Sequence, residues 1–362
     1  MEFVEPLLGN TTNHLPSSSI KYFTADLSER QLTDFTENTI KILHPDLTVE
    51  RIEALNLSRN LFEAIPLDVF KFKHLHKLEI CELSLRTIPE QITNLQNLRS
   101  LDIRNNLIRS IPKYVSKIRT LEEVNFSGNE LPHFPDVFLD LPHLSTLNLG
   151  DNLISVIPQT IYQIKKLKIL YLGGNQLKFL PDTIGLLRQL TCLVVCDNQL
   201  TTVPHSIASL RNLRRLSLHN NLIRTLPPQI LNLTSLESLS LRNNPLVRKF
   251  VDNLMFTPPS LKELAARGVR KDINFKEAEE ILPYDLIKYL NSAHECLNPH
   301  CTGVYFETCF ENIKFVDFCG MYKVPFLQYL CSPSCGCGCS DTGPHVCRNR
   351  LDDARMKKVL LG

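Results

Sequence analysis

The chain reads as an α/β repeat protein: a curved solenoid of about nine units of 23 residues, followed by a small helical and cysteine-rich β module. Three observations predict this. The segment ALNLSRNLFEAIP at 54–66 returns as SLDIRNNLIRSIP (100–112), TLNLGDNLISVIP (146–158), ILYLGGNQLKFLP (169–181) and RLSLHNNLIRTLP (215–227). Asparagines at 60, 106, 129, 152, 175, 198, 221 and 244 and prolines at 66, 89, 112, 135, 158, 181, 204 and 227 keep the same step, with Leu83 in the one vacant asparagine slot. The periodicity stops near Val251, and nine of the 12 cysteines lie after residue 295.

Each letter of the repeat has a physical reason. Leu55, Leu57 and their equivalents point inward from a short strand while the alternate residues face out on the concave side. The asparagine side chain satisfies backbone groups where the chain leaves the ladder, and the proline opens the convex segment, where no ladder donor is needed. One repeat cannot bury its apolar face alone, so the units share a continuous core. The pattern is identified as a leucine-rich repeat, which implies a horseshoe-shaped solenoid. Repeats span 51–251, a degenerate capping repeat spans 23–50, and the Asn/Thr/Ser-rich residues 1–22 read as a flexible tail.

Composition narrows the function. With 40 basic against 38 acidic side chains, a net charge of +2 offers no field for nucleic acid. The mean hydropathy is −0.08 and no long apolar stretch occurs, so no membrane span is expected. The start, Met1-Glu-Phe-Val-Glu, lacks the basic-then-apolar order of a secretion signal; the expected location is cytoplasmic, and the sequons at Asn56, Asn125 and Asn232 are expected to stay unglycosylated. No phosphate-binding, dinucleotide, nucleophile-elbow or zinc-protease motif occurs. Cys192 and Cys196 fall on the open sheet with no obvious histidine base on their own repeat, His219 lying one repeat along and offset, so no enzyme and no organic cofactor is expected.

A solenoid of this kind binds on its concave sheet, whose outward positions are readable. They run from acidic (Glu79, Glu82, Asp102, Glu123) through apolar (Ile169, Tyr171, Cys192, Val194, Cys196) to basic (Arg215, His219, Arg242). Tyr171 and Val194 are the expected anchors for a protein substrate, with Ile169, Cys196, Glu123, Asp151, Asp197, Arg215, His219 and Arg242 around them.

After the repeats, Pro258-Pro259 marks a helix start, and Ser260-Leu261, Ala265 and Val269 follow at helical spacing, with Leu264 on the same turn. This resembles the elongin-C-binding box of cullin–RING ubiquitin ligase receptors, with Ala265 where that family usually has cysteine; the resemblance implies that Leu261 plugs the elongin C pocket. Leu282-Pro283-Tyr-Asp-Leu286 and Tyr289 resemble the cullin box that follows it in suppressor-of-cytokine-signalling receptors, lacking the second proline, and imply cullin-5 or cullin-2. The two box-like helices occupy 255–294. A helical cap packed on the last repeat would show the same periodicity.

In a reducing compartment, clustered cysteines bind metal more often than they form disulfides. Cys296, Cys301, Cys331 and Cys335, in a module spanning 295–336, are the expected ligands of one structural zinc, with His300 as an alternative to Cys301. Two β-rich stretches between them, 303–307 and 313–318, read as a hairpin. Residues 337–362 read as a flexible tail. Together with the repeats, residues 303–306, 314–320, 325–335 and 357–362 resemble the intracellular leucine-rich-repeat proteins with 23-residue repeats. The expected function is a substrate-recognition adaptor that couples a protein client to elongin B/C and a cullin; the alternative is a signalling scaffold whose C-terminal helices only cap the core.

Overall fold

The computed structural model describes residues 23–43, 52–246, 259–272, 282–298, 301–318 and 321–335. Strands β1 (Phe23–Asp26), β2 (Ile52–Asn56), β3 (Lys77–Glu79), β4 (Ser100–Asp102), β5 (Glu123–Asn125), β6 (Thr146–Asn148), β7 (Ile169–Tyr171), β8 (Cys192–Val194), β9 (Arg215–Ser217) and β10 (Ser238–Ser240) form one parallel sheet in chain order. From β2 onward each residue pairs with its equivalent 23 positions later, as in Leu78↔Leu101 and Leu147↔Leu170. The fold is a leucine-rich-repeat solenoid.

The return limbs are 3₁₀ turns of five residues, from Leu67–Lys71 to Pro228–Asn232, each opening directly after a repeat proline held in an extended conformation. The inward leucines and isoleucines of every repeat merge into one core in which most side chains are wholly shielded. Its N-terminal end is closed by α1 (Glu37–Leu43) and the Phe35 ring, 6.0 Å from that of Phe72.

The asparagine ladder is more connected than one turn requires. The Asn152 amide donates to the carbonyls of Phe126 (2.9 Å), Leu149 (3.1 Å) and Gly150 (2.9 Å), and its Oδ1 accepts from the Leu131 amide (3.0 Å). One buried side chain thus satisfies groups on two successive repeats, and the pattern recurs at Asn129, Asn175, Asn198 and Asn221. The residue before each ladder slot takes a left-handed conformation: Arg59, Glu82 (before Leu83), Asn105, Asp151, Asp197, Asn220 and Asn243, with Gly128 and Gly174 in the same row. Leu83, in the vacant slot, packs against the core instead.

Beyond the repeats lie α2 (Leu261–Asp272), α3 (Tyr284–Asn291), the short antiparallel pair β11 (His294–Glu295) and β12 (Val304–Tyr305), and a long hairpin of β13 (Phe310–Phe318) and β14 (Met321–Leu330). The hairpin differs from the expected one. The 313–318 stretch pairs with 321–330, and the 303–307 stretch pairs with His294-Glu295, so that Cys296 and Cys301 fall in the connection between β11 and β12.

The periodicity separates this segment from the solenoid, but packing joins them. The Leu226 amide donates to the Pro325 carbonyl and the Leu327 amide to the Leu226 carbonyl, both at 2.9 Å. Val316, Val324 and Phe326 enter the solenoid core. The helices belong to a second, small core of Ala266, Leu290 and Phe306. The tails at 1–22 and 337–362 lie outside the described residues, and no described helix is long and apolar enough to cross a membrane.

Candidate functional site

The parallel register brings the expected concave residues together. Tyr171 pairs with Val194 and Val194 with Ser217; Ile169 pairs with Cys192 and Cys192 with Arg215. Glu123, Asp151, Asp197, Arg215 and Arg242 are exposed, and Ile169, Tyr171, Val194, Cys196 and His219 are half-buried. Cys192 departs from expectation: it is buried between the strands carrying Tyr171 and Arg215, and burial pushes its thiol up. Two large apolar side chains that the strand pattern does not reveal, Val156 and Phe179, stand half exposed on adjacent repeats. They occupy the variable slot two residues before the repeat proline, on the loop and not the strand.

A second arrangement on this face was hidden by distance in the chain. Cys196 Sγ, an Asp197 carboxylate oxygen and a ring nitrogen of His219 lie within 4.8 Å of one another. The strand offset that separates His219 from Cys196 along the sequence is one repeat, and the sheet closes that gap.

The helical module is built around a buried carboxylate. Ser260, expected to contact a partner, is exposed and caps α2, its Oγ accepting the Glu263 amide at 3.2 Å. Glu263 is fully shielded and accepts hydrogen bonds from the Phe306 amide (3.0 Å), the Thr308 amide (3.1 Å), the Thr308 hydroxyl (2.6 Å) and Arg267 (2.5 Å). Burial by itself would raise this carboxyl. The Thr308, Phe306 and Arg267 hydrogen bonds outweigh it and hold the group at about 2. Arg267 continues to the carbonyls of Cys331 (2.7 Å) and Thr308 (2.6 Å), so one Glu/Arg pair a helical turn apart ties α2 to the cysteine module.

This tether decides which side of α2 faces out. Leu261 is 86% exposed and Leu264 50%, with Ala265 exposed beside them. On α3, Pro283 and Leu286 are exposed. Val269, Leu282 and Tyr289, also expected to face a partner, turn inward onto the small core; Tyr289 stacks on Phe306 at 4.8 Å, and Lys262 Nζ lies 3.8 Å above its ring. The reason is the same small core, which takes one side of each helix.

The four expected cysteines converge. The Sγ atoms of Cys296, Cys301, Cys331 and Cys335 all lie within 4.8 Å of one another, with Cys301–Cys331 at 3.6 Å, Cys331–Cys335 at 3.4 Å and Cys301–Cys335 at 3.5 Å. A tetrahedron with zinc–sulfur arms of about 2.3 Å has edges of roughly 3.8 Å, so the spacing fits the metal. Backbone amides also aim at the sulfurs: Gly303 donates to Cys301 at 3.2 Å and Cys331 to Cys296 at 3.4 Å. A side chain at Gly303 would meet Cys331 Sγ at 2.8 Å and Cys301 Sγ at 3.1 Å, so this glycine makes room for the tetrad. Burial and the hydrogen bond with Cys335 push the Cys331 thiol up; at Cys335 burial is outweighed by the Ser332 hydroxyl and its neighbours, and the thiol is lowered. His300 lies outside the described residues.

Comparison with known proteins agrees with the solenoid. Residues 133–221 match the family model "Leucine-rich repeat region", and residues 96–154 match "Leucine rich repeat". The chain is 46% identical over 123 residues to leucine-rich repeat-containing protein 58 of Xenopus laevis, a match covering 33% of this chain and 35% of that protein. It is 51% identical over 90 residues to the Homo sapiens protein of the same name, covering 25% and 24%. The chain thus spans only a quarter to a third of the length of the relatives it matches. Among solved structures, a leucine-rich-repeat protein of Leptospira interrogans aligns with a TM-score of 0.57 at 27% identity, over 62% of this chain and 61% of that one. The Arabidopsis receptor kinase HAESA, solved with the peptide hormone IDA and the co-receptor SERK1, aligns at 0.54 and 27%, over 63% and 39%.

Proposed function

We propose that the protein is a substrate-recognition adaptor of a cullin–elongin B/C RING ubiquitin ligase. The chain performs no chemistry in this reading; it holds a protein client on the concave face and presents it to the ligase, supplying proximity and orientation. The observation that carries the reading is the exposed Leu261, with Leu264 and Ala265 beside it, on a helix whose opposite side is fixed by Glu263 and Arg267. An apolar stripe held rigidly and left uncovered is what a partner helix-binding pocket requires. Exposed Pro283 and Leu286 extend it toward the cullin, either cullin-5 or cullin-2.

Zinc in the tetrad of Cys296, Cys301, Cys331 and Cys335 completes the reading. It would act structurally, its four thiolates holding the loops to which Arg267 ties α2. About one equivalent of zinc held by these four cysteines in the purified protein is the expected outcome of metal analysis.

Co-purification with elongin C tests the adaptor role. Wild type should retain elongin B/C, and Leu261→Asp should lose it with an unchanged melting temperature, because Leu261 is 86% exposed. Failure of wild type to bind leaves a signalling scaffold, which the inward-turned Val269 and Tyr289 would favour.

A further inference from the structure

On the concave face, where β8 and β9 run into the loops that follow, three side chains of metal-binding type stand together. Cys196 contributes a sulfur, Asp197 a carboxylate and His219 an imidazole, their ligand atoms within 4.8 Å of one another. The surroundings are arranged for them. His219 Nδ1 is engaged by the hydroxyls of Ser217 at 2.9 Å and Ser240 at 3.3 Å, which fixes the ring and turns Nε2 toward Asp197, 3.6 Å from Oδ2. Hydrogen bonding at one ring nitrogen to orient the other is how protein sites prepare a histidine for a metal. The Asn220 amide holds the other Asp197 oxygen at 2.5 Å.

The floor of the arrangement is two glycines. A Cβ at Gly173 would come within 2.9 Å of Cys196 Sγ, and one at Gly174 within 2.0 Å of Asp151 Oδ1. The missing side chains leave room for Asp151 over the backbone beside the cluster, and Cys196, Asp197 and His219 face one space at the end of the sheet.

We propose that Cys196, Asp197 and His219 form a second metal site, separate from the cysteine tetrad, that takes a divalent ion of zinc type. Mixed sulfur, nitrogen and oxygen donors suit zinc and exclude magnesium and calcium, which prefer all-oxygen shells. Bond lengths of about 2.0–2.3 Å require the three donor atoms to draw together by roughly 1 Å. Asp197 is exposed and His219 half-buried, so side-chain rotation achieves this without moving the strands. Three protein donors leave a fourth position open on the concave surface, unlike the closed tetrad.

The test is zinc stoichiometry on the full chain, loaded with zinc and dialysed, comparing wild type with Cys196→Ser/His219→Ala. The double variant should lose about one equivalent and keep the melting temperature of the metal-free wild type. A Cys331→Ser/Cys335→Ser variant should lose a different equivalent and keep this one. Cobalt substitution gives a second reading: the tetrad variant should retain a weak sulfur-to-cobalt absorption that disappears on adding Cys196→Ser. Equal zinc content in wild type and the Cys196→Ser/His219→Ala variant overturns the site, whatever the tetrad holds.

Discussion

Residues 52–246 and residues 259–335 hold themselves together in opposite ways. In the solenoid every restraint is repeated: each ladder asparagine serves two successive turns, each inward leucine meets its own equivalent, and removing one repeat's contribution leaves eight others. In the C-terminal module the restraints are few and singular. Four sulfurs, one buried carboxylate and one arginine connect α2, α3, β11 and β12, whose own core has three buried side chains, while the β13–β14 hairpin rests on the solenoid core. Distributed stability tolerates local damage, whereas a structure resting on a handful of points fails when one is withdrawn.

The largest expected effect separates the two regions outright. Cys331→Ser/Cys335→Ser, or a strong chelator, should abolish hydrogen-exchange protection in α2, α3, β11 and β12 while the solenoid and the hairpin seated on it keep theirs. Structural zinc sites of this kind contribute on the order of 10 kcal/mol, far beyond what so small a core supplies. Equal loss of protection in both regions would break the comparison.

Next in size is Glu263→Ala, which strands a half-buried arginine and leaves the Phe306 and Thr308 amides without acceptors. A loss of about 3–5 kcal/mol from the module is expected in denaturant unfolding. The same carboxyl sets a pH dependence: its folded value of about 2 lies below its ordinary 4.5, so its contribution is complete above pH 4.5 and fades as pH falls toward 2. The Glu263→Ala protein should lack that acid limb. In the solenoid, Asn152→Ala should cost less, about 1–3 kcal/mol, although it vacates four hydrogen bonds, because the carbonyls of Leu149 and Phe126 keep second donors in Asn175 and Asn129.

The smallest effects have opposite signs in the two regions. Gly174→Ala should destabilise by about 1–2 kcal/mol, since φ is +67° and the new methyl would collide with Asp151. Gly268→Ala should stabilise α2 by about 0.5–1 kcal/mol, since nothing lies within 4 Å of the new Cβ.

The same contrast explains what could be read from the residues alone. Repetition announces itself, so the strands, the proline-opened turns and the asparagine ladder were all legible. So was the convergence of Cys296, Cys301, Cys331 and Cys335, because thiolate pairs at such spacings have few other uses. Three things were not. The partner of β13 is the adjacent 321–330 stretch and not 303–307, and two strands of similar character left that choice open in the residues alone. Glu263 and Arg267 look like an ordinary surface pair at helical spacing, and nothing local tells that Thr308 will cover them. The meeting of Cys196 with His219 depends on the inter-strand step, which turns 23 residues of chain into one strand's width.

The bridge between Leu226 and Phe326 joins residues one hundred positions apart. At a synthesis speed of roughly 5–20 residues per second, the late repeats leave the ribosome some 5–20 s before the strand that seals them. For that interval a finished row of leucines ends in an open hydrophobic face, and a newborn chain must be shielded there, by its own haste or by a chaperone, until its final plug arrives.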